Sequence, residues 1–207
     1  MSGIFAAQSS DLSAYSAISG ISGGAVNASI LGSYDLGDES LAAERMITFW
    51  QNSSNNKLYK DWLGGIVQGL TMEGGLYHNA LLKAFLTKEL ADIGPMTRFV
   101  DIGITDVLSG KYQDNLPADI DTNLVEILFA SFAFAGFFPP AESMGSSWFD
   151  GSVIWDLDIF STVNKCLETH SASDVVVDVI LTSTKTLKTV DASNFNSVQM
   201  LIRFLEV

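Results

Sequence analysis

The feature that most confines what this 207-residue chain can fold into is the pentapeptide Gly20-Ile21-Ser22-Gly23-Gly24. Residues 14–19 read as a short strand, and residues 25–33 place Val26, Ile30 and Leu31 on one helical face, so the pentapeptide must turn a strand into a helix at once. Glycines at positions 20, 23 and 24 remove side chains from a bend too tight to hold them. The hydroxyl of Ser22 then projects from the bend. This is the G-x-S-x-G pattern of a nucleophile elbow, in which the Gly23 N–H faces a developing oxyanion and the helix N-terminus adds a positive field. Taken alone, the pentapeptide equally suits a plain glycine turn. A phosphate-cradling loop is less apt, because the lysine of G-x-x-x-x-G-K-[ST] is missing.

Downstream, strand and helix signals alternate. The segment Gly3-Ile4-Phe5-Ala6-Ala7 has the character of a helix tail. A helix is expected from Asp38, another from Asn79 to the Gly94-Pro95 stop, and a third from Asp121 or Thr122 to Gly136 and the Pro139-Pro140 pair. Val100, Ile102 and Ile104 alternate as in a strand, residues 147–149 form a short strand ending at Asp150, and residues 159–169 form a helix. Residues 175–181 are a nearly continuous β-branched run, expected as a strand buried on both faces. Such alternation implies an α/β layer fold, here as a single domain over residues 1–207.

Composition narrows the partners. A net charge of −13 disfavours nucleic acid and strongly anionic membranes, which need clustered Lys and Arg. It leaves room for transient contact with a membrane or micelle surface through apolar residues. The longest apolar stretch, residues 127–138, is broken by Ser131 and Gly136 and is too short for a transmembrane segment. Cys166 is the one cysteine, so no internal disulfide is expected, and with no secretory pattern at the start a cytoplasmic setting follows, peripheral at membranes at most. No His/Cys/Asp cluster has metal-site spacing, and neither metal nor other cofactor is expected.

A nucleophilic serine needs a base, and the only histidines are His78 and His170. The block Ala130-Ser131-Phe132-Ala133-Phe134-Ala135-Gly136-Phe137-Phe138-Pro139-Pro140, followed by Trp148-Phe149-Asp150-Gly151-Ser152, resembles the A-S-x-A-x-P-x-x-F-P-P and Asp-Gly motifs of the patatin-like phospholipase family. Gly74-Gly75-Leu76-Tyr77-His78-Asn79 is similar to a segment between them that opens a helix. The resemblance spans about residues 3–183. It implies a three-layer α/β/α fold with a mostly parallel central sheet, and a metal-free Ser22–Asp150 dyad that cleaves acyl esters of phospholipids or other glycerolipids through an acyl-enzyme. It also assigns Gly20, Gly23 and Gly24 to the elbow and oxyanion site and Gly151 to the Asp-Gly motif.

The sequence departs from that family at several points. Its glycine-rich oxyanion loop, G-G-G-x-[RK]-G, and the strand before it are not found in the 207 residues, and Ala135, Ser152 and Asp156 stand where proline, a smaller residue and asparagine are frequent. Two other functions therefore stay open: a patatin-fold lipid- or protein-binding module without catalysis, and a Ser-Asp-His esterase using His170. The aromatic pieces at residues 59–62 and 132–138 are either core or the wall of an acyl pocket.

Overall fold

The computed structural model describes residues 15–113, 117–181, 189–191, 193–196, 199, 200 and 203. The helix tail expected at residues 3–7 lies outside them. The chain divides into two compact units, Met1–Val176 and Val177–Val207. In the second, Asn196 and Gln199 exchange side-chain-to-backbone hydrogen bonds of 3.0 Å each, which cap a helical turn.

The first unit contains β1 (Ala17–Gly20), α1 (Gly23–Gly32), α2 (Glu39–Asn55), β2 (Lys60–Asp61), α3 (Gly65–Met72), β3 (Tyr77–His78), α4 (Ala80–Glu89), β4 (Phe99–Ile102), β5 (Ile104–Asp106), β6 (Tyr112–Gln113), α5 (Pro117–Ser131), β7 (Ala141–Ser143), β8 (Ser146–Asp150) and α6 (Phe160–Leu167). The architecture is α/β. β1 runs parallel to β4, from Ala17 opposite Phe99 to Gly20 opposite Ile102. After one residue, Gly103, the chain continues as β5, which pairs antiparallel with β6 and β8; β7 completes the order β6-β5-β8-β7.

Helix α1 is buried over most of its surface: Ala25, Val26, Ala28 and Ile30 are fully buried, and the half-exposed Asn27 accepts the Trp50 indole N–H at 2.8 Å. It packs on β1, β4, α2 and α5, so the helix that follows Ser22 is the centre of the core. Helix α2 supplies Ala42, Ala43, Met46 and Phe49 from one face, at helical spacing.

Four expectations shift. The helix expected from Asp121 or Thr122 begins at Pro117 and is interrupted at Asn123 (φ −123°, ψ 20°). The Asp121 carboxylate accepts the Met96 N–H at 2.8 Å, so a tertiary partner takes the group that local sequence assigns to a cap. Asn79 makes no side-chain cap to α4; the Ala80 N–H donates instead to His78 Nδ1 at 3.2 Å. The helix also ends at Glu89, ahead of Gly94-Pro95. Residues 175–181 form no strand, and Val176 and Leu181 are 83% and 66% exposed. A β-branched run becomes a strand only where a ladder receives it, and its composition cannot supply one.

Across the start of β4, Arg98 is buried against Glu39, Nη1 to Oε1 2.8 Å, with side chains 1% and 6% exposed. Its guanidinium also donates to the carbonyls of Tyr15, Tyr34 and Asp35. One side chain thus ties the entry to β1, the α1–α2 connection and β4 together, and its charge is fully partnered. Removing one partner of such a pair leaves an uncompensated buried charge. The Arg98→Ala protein is expected to lose about 3–5 kcal/mol of stability. Lys165→Ala, which breaks the exposed Lys165–Glu168 pair, is expected to lose about 0–1 kcal/mol. Urea unfolding midpoints compare the two.

Candidate active site

Ser22 sits between the end of β1 and the start of α1 with φ 55° and ψ −123°. Positive φ is disfavoured for a residue with a β-carbon, and holding it there costs about 1–3 kcal/mol. The surroundings hold it from several directions. The Gly24 N–H donates to Ile21 O at 2.8 Å and the Ala25 N–H to Ser22 O at 3.0 Å, which closes the turn. The Ser22 N–H donates to Ser131 Oγ at 2.8 Å, and the Ser131 hydroxyl donates in turn to Gly103 O at 2.9 Å.

The elbow glycines differ in how strictly they are required. A β-carbon on Gly20 would lie 2.3 Å from the Gly24 carbonyl oxygen, which the backbone cannot relieve. One on Gly23 would touch the Trp50 ring at 3.4 Å, and one on Gly24 would meet nothing within 4 Å. Helix α1 has no acidic residue in its own first turn to offset its N-terminal partial charge beside Ser22.

Asp150 ends β8, opposite Ile104 on β5, and is 1% exposed. Its N–H donates to Ala133 O at 3.1 Å, and its Oδ1 accepts the Ser152 N–H at 2.9 Å. Oδ2 is buried without a hydrogen bond of ordinary geometry. Burial raises the carboxyl above the usual range; the Ser152 N–H and hydroxyl and the Ser22 hydroxyl act against that rise, while the charge of Asp156 adds to it. Ser22 is thus close enough to influence the carboxylate electrostatically, yet Oδ2 keeps its capacity to accept a proton. The two side chains adjoin without a hydrogen bond of ordinary geometry at Oδ2.

Gly103 joins the two halves of the site. Its N–H donates to Gly20 O at 3.2 Å, its carbonyl receives Ser131, and a β-carbon on Gly151 would lie 2.7 Å from its oxygen. A side chain on Gly103 itself would collide with Tyr112 Oη at 2.1 Å. Neither Gly103 nor Ser131 stands out in the sequence as a functional residue. A lone glycine within the β-type run at residues 100–105 was the available sign of a close backbone approach. Ser131 carried no sign beyond its place in the motif block.

The histidines lie elsewhere in the chemistry. His170 is exposed with Nδ1 2.8 Å from Thr169 Oγ1, and no histidine is among the groups that shift Asp150. His78 packs its ring on Trp62 at 4.7 Å. Among the described residues no cluster of His, Cys, Asp or Glu has the makings of a metal site.

With Ser22 on a strained strand-to-helix bend and a desolvated carboxylate beside it, the chain is of the α/β class. Within that class, this chain belongs to the patatin-like phospholipase family, whose model matches residues 8–160. Membership of that family supports lipid acyl hydrolysis as the general activity. No curated relative matches the chain.

Two outcomes are expected. Ser131→Ala strands the Ser22 N–H and the Gly103 carbonyl; a buried group left unsatisfied costs about 1–3 kcal/mol. The bend at Ser22 should relax, and the urea unfolding midpoint should fall by an amount that corresponds to that loss. The second concerns Asp150, whose folded pKa is raised above 3.8, so its contribution to stability is complete below 3.8 and lost as pH rises through the folded value. Asp150→Asn should therefore unfold at higher urea than the parent at pH 7, with the advantage shrinking toward pH 4.

Proposed function

We propose that this chain hydrolyses fatty acyl esters of phospholipids or other glycerolipids with Ser22 as nucleophile and Asp150 as general base, without histidine or metal. The observation that carries the reading is the buried Oδ2 of Asp150, with no settled hydrogen bond, beside the Ser22 hydroxyl. A carboxylate so desolvated is a stronger base than one in water, and its raised pKa narrows the gap to the proton it must take.

In the first half-reaction, Ser22 Oγ attacks the ester carbonyl as Asp150 takes the hydroxyl proton. The Gly23 N–H and the N-terminus of α1 face the oxyanion of the tetrahedral intermediate. Its collapse breaks the bond to the alcohol, which leaves with the proton held by Asp150, and the acyl group stays on Ser22. In the second, Asp150 takes a proton from water, the resulting hydroxide equivalent attacks the acyl-enzyme, and the fatty acid departs as Ser22 regains its proton. The strained bend serves this sequence by keeping the hydroxyl clear of its own backbone.

The setting that fits is a cytoplasmic lipid surface. The single cysteine needs no oxidising compartment, and no helix among the described residues is long and apolar enough to cross a membrane.

A fluorophosphonate probe should label the protein at one peptide, containing Ser22, and the Ser22→Ala protein should not be labelled there. Asp150→Asn is expected to lower kcat on a short-chain ester about 10²–10⁴-fold. The rate of the parent should rise with pH along a limb whose midpoint lies above 3.8. His170→Ala should leave the rate unchanged. Absence of labelling and of ester hydrolysis in the parent would leave the non-catalytic lipid- or protein-binding module as the reading.

A further inference from the structure

Helix α3 is built the wrong way round for a surface helix. Its buried residue is Gly69, at whose α-carbon the helix backbone meets the β3 side: an added β-carbon would lie 2.6 Å from Gly75 O and 2.7 Å from Leu76 O. The large side chains point out. Ile66, Val67 and Leu70 are 49%, 71% and 65% exposed, Leu63 just before the helix is fully exposed, and Met72 at its end is 80% exposed. Positions 66, 67 and 70 follow the spacing of a single helical stripe, with Leu63 exposed in the turn that leads into it, so the apolar face that normally turns inward faces solvent here.

Residues 62–72 contain no Asp, Glu, Lys or Arg, in a chain that has 24 acidic and 11 basic residues. The flanks are balanced in sum, with Lys57, Lys60 and Asp61 before the stretch and Glu73 after it, two basic residues and two acidic. The stripe is also firmly mounted. Trp62 Nε1 donates to Gly75 O at 2.9 Å, the Tyr59 ring packs on Tyr77 and Phe138, and the N–H groups of Leu76 and Tyr77 donate to Gly136 O and Phe137 O. Those carbonyls belong to the loop in which Ala133 O receives the Asp150 N–H. The exposed stripe and the carboxylate are therefore supported by one loop.

From this arrangement the geometry points to α3 and Leu63 as the surface that docks the protein on an electrically neutral, zwitterionic lipid interface. An uncharged stripe with balanced flanks suits head groups of no net charge and offers nothing to an anionic bilayer. A second copy is the poorer occupant, since it would bring together two chains of charge −13 each without a pairing cation in the patch. The choice of a lipid partner rests on the acyl-hydrolase reading, while the binding itself does not require catalysis.

The test uses the Ser22→Ala protein and phosphatidylcholine vesicles in a sedimentation assay, so that binding is read without turnover. Binding is expected, and adding Leu63→Ser, Val67→Ser and Leu70→Ser together should weaken it by about tenfold or more, as for loss of the apolar face of an interfacial helix. Leu108→Ser, at a site 84% exposed outside the stripe, should leave it unchanged. Should the triple variant fail to fold, Val67→Glu alone makes the same test. No binding by the parent, or equal binding by the stripe variants, overturns the proposal. So does self-association that these variants abolish in the absence of vesicle binding. Vesicle binding through the stripe in a protein that hydrolyses no ester would uphold it and sink the catalytic reading instead.

Discussion

Most of what makes the site possible passes through the main chain of Gly103. Its amide holds the end of the strand that leads to Ser22, and its carbonyl holds the hydroxyl of Ser131, which in turn holds the Ser22 N–H. The turn after Asp150 rests against the same peptide, with Gly151 too close to bear a side chain. Two segments more than a hundred residues apart in sequence are thereby brought to one point by backbone contacts. Backbone groups change little with rotamer or solvent, so this is a rigid way to set a hydroxyl beside a carboxylate.

That rigidity is needed because both groups are held uphill. The Ser22 backbone occupies a region that favours glycine, and Asp150 is a carboxylate in a place where burial opposes its charge. Neither condition survives unless neighbouring structure over-determines it. Here the stabilising counterpart is the apolar helix α1 at the centre of the core, supported by the buried Arg98–Glu39 pair that clamps the connections around β1 and β4. Strain and a raised carboxyl at one point are the kind of local cost that the rest of a fold has to offset.

Legibility followed the range of the interactions. The elbow was readable because its requirement is local: Gly20 must lack a side chain on account of Gly24, four residues on. The strand at β4 and the helices α1 and α2 were readable from the spacing of their apolar residues, Val26, Ile30 and Leu31 in α1 and Met46 and Phe49 in α2, although Leu41, Ile47 and Trp50 of α2 face outward. The β-branched residues 175–181 misled, because strand propensity is a statement about neighbours that the segment does not contain. Asp121 misled for a related reason, its carboxylate being claimed by Met96 across the fold. The apolar residues of α3 carry no sign in the sequence of which way they face, and only the accessibility of Val67 and Leu70 shows that they turn outward.

By itself the sequence determined the α/β class of fold, the family and the sharp bend at Ser22, because motif identity and short-range sterics are properties of neighbouring residues. Only the tertiary structure decided that Ser131 and Gly103 hold the elbow, that Asp150 is dry enough for its carboxyl to be raised, and that α3 turns its apolar face outward. Burial and long-range hydrogen bonds depend on which distant segments meet. That is set by the packing of the whole chain.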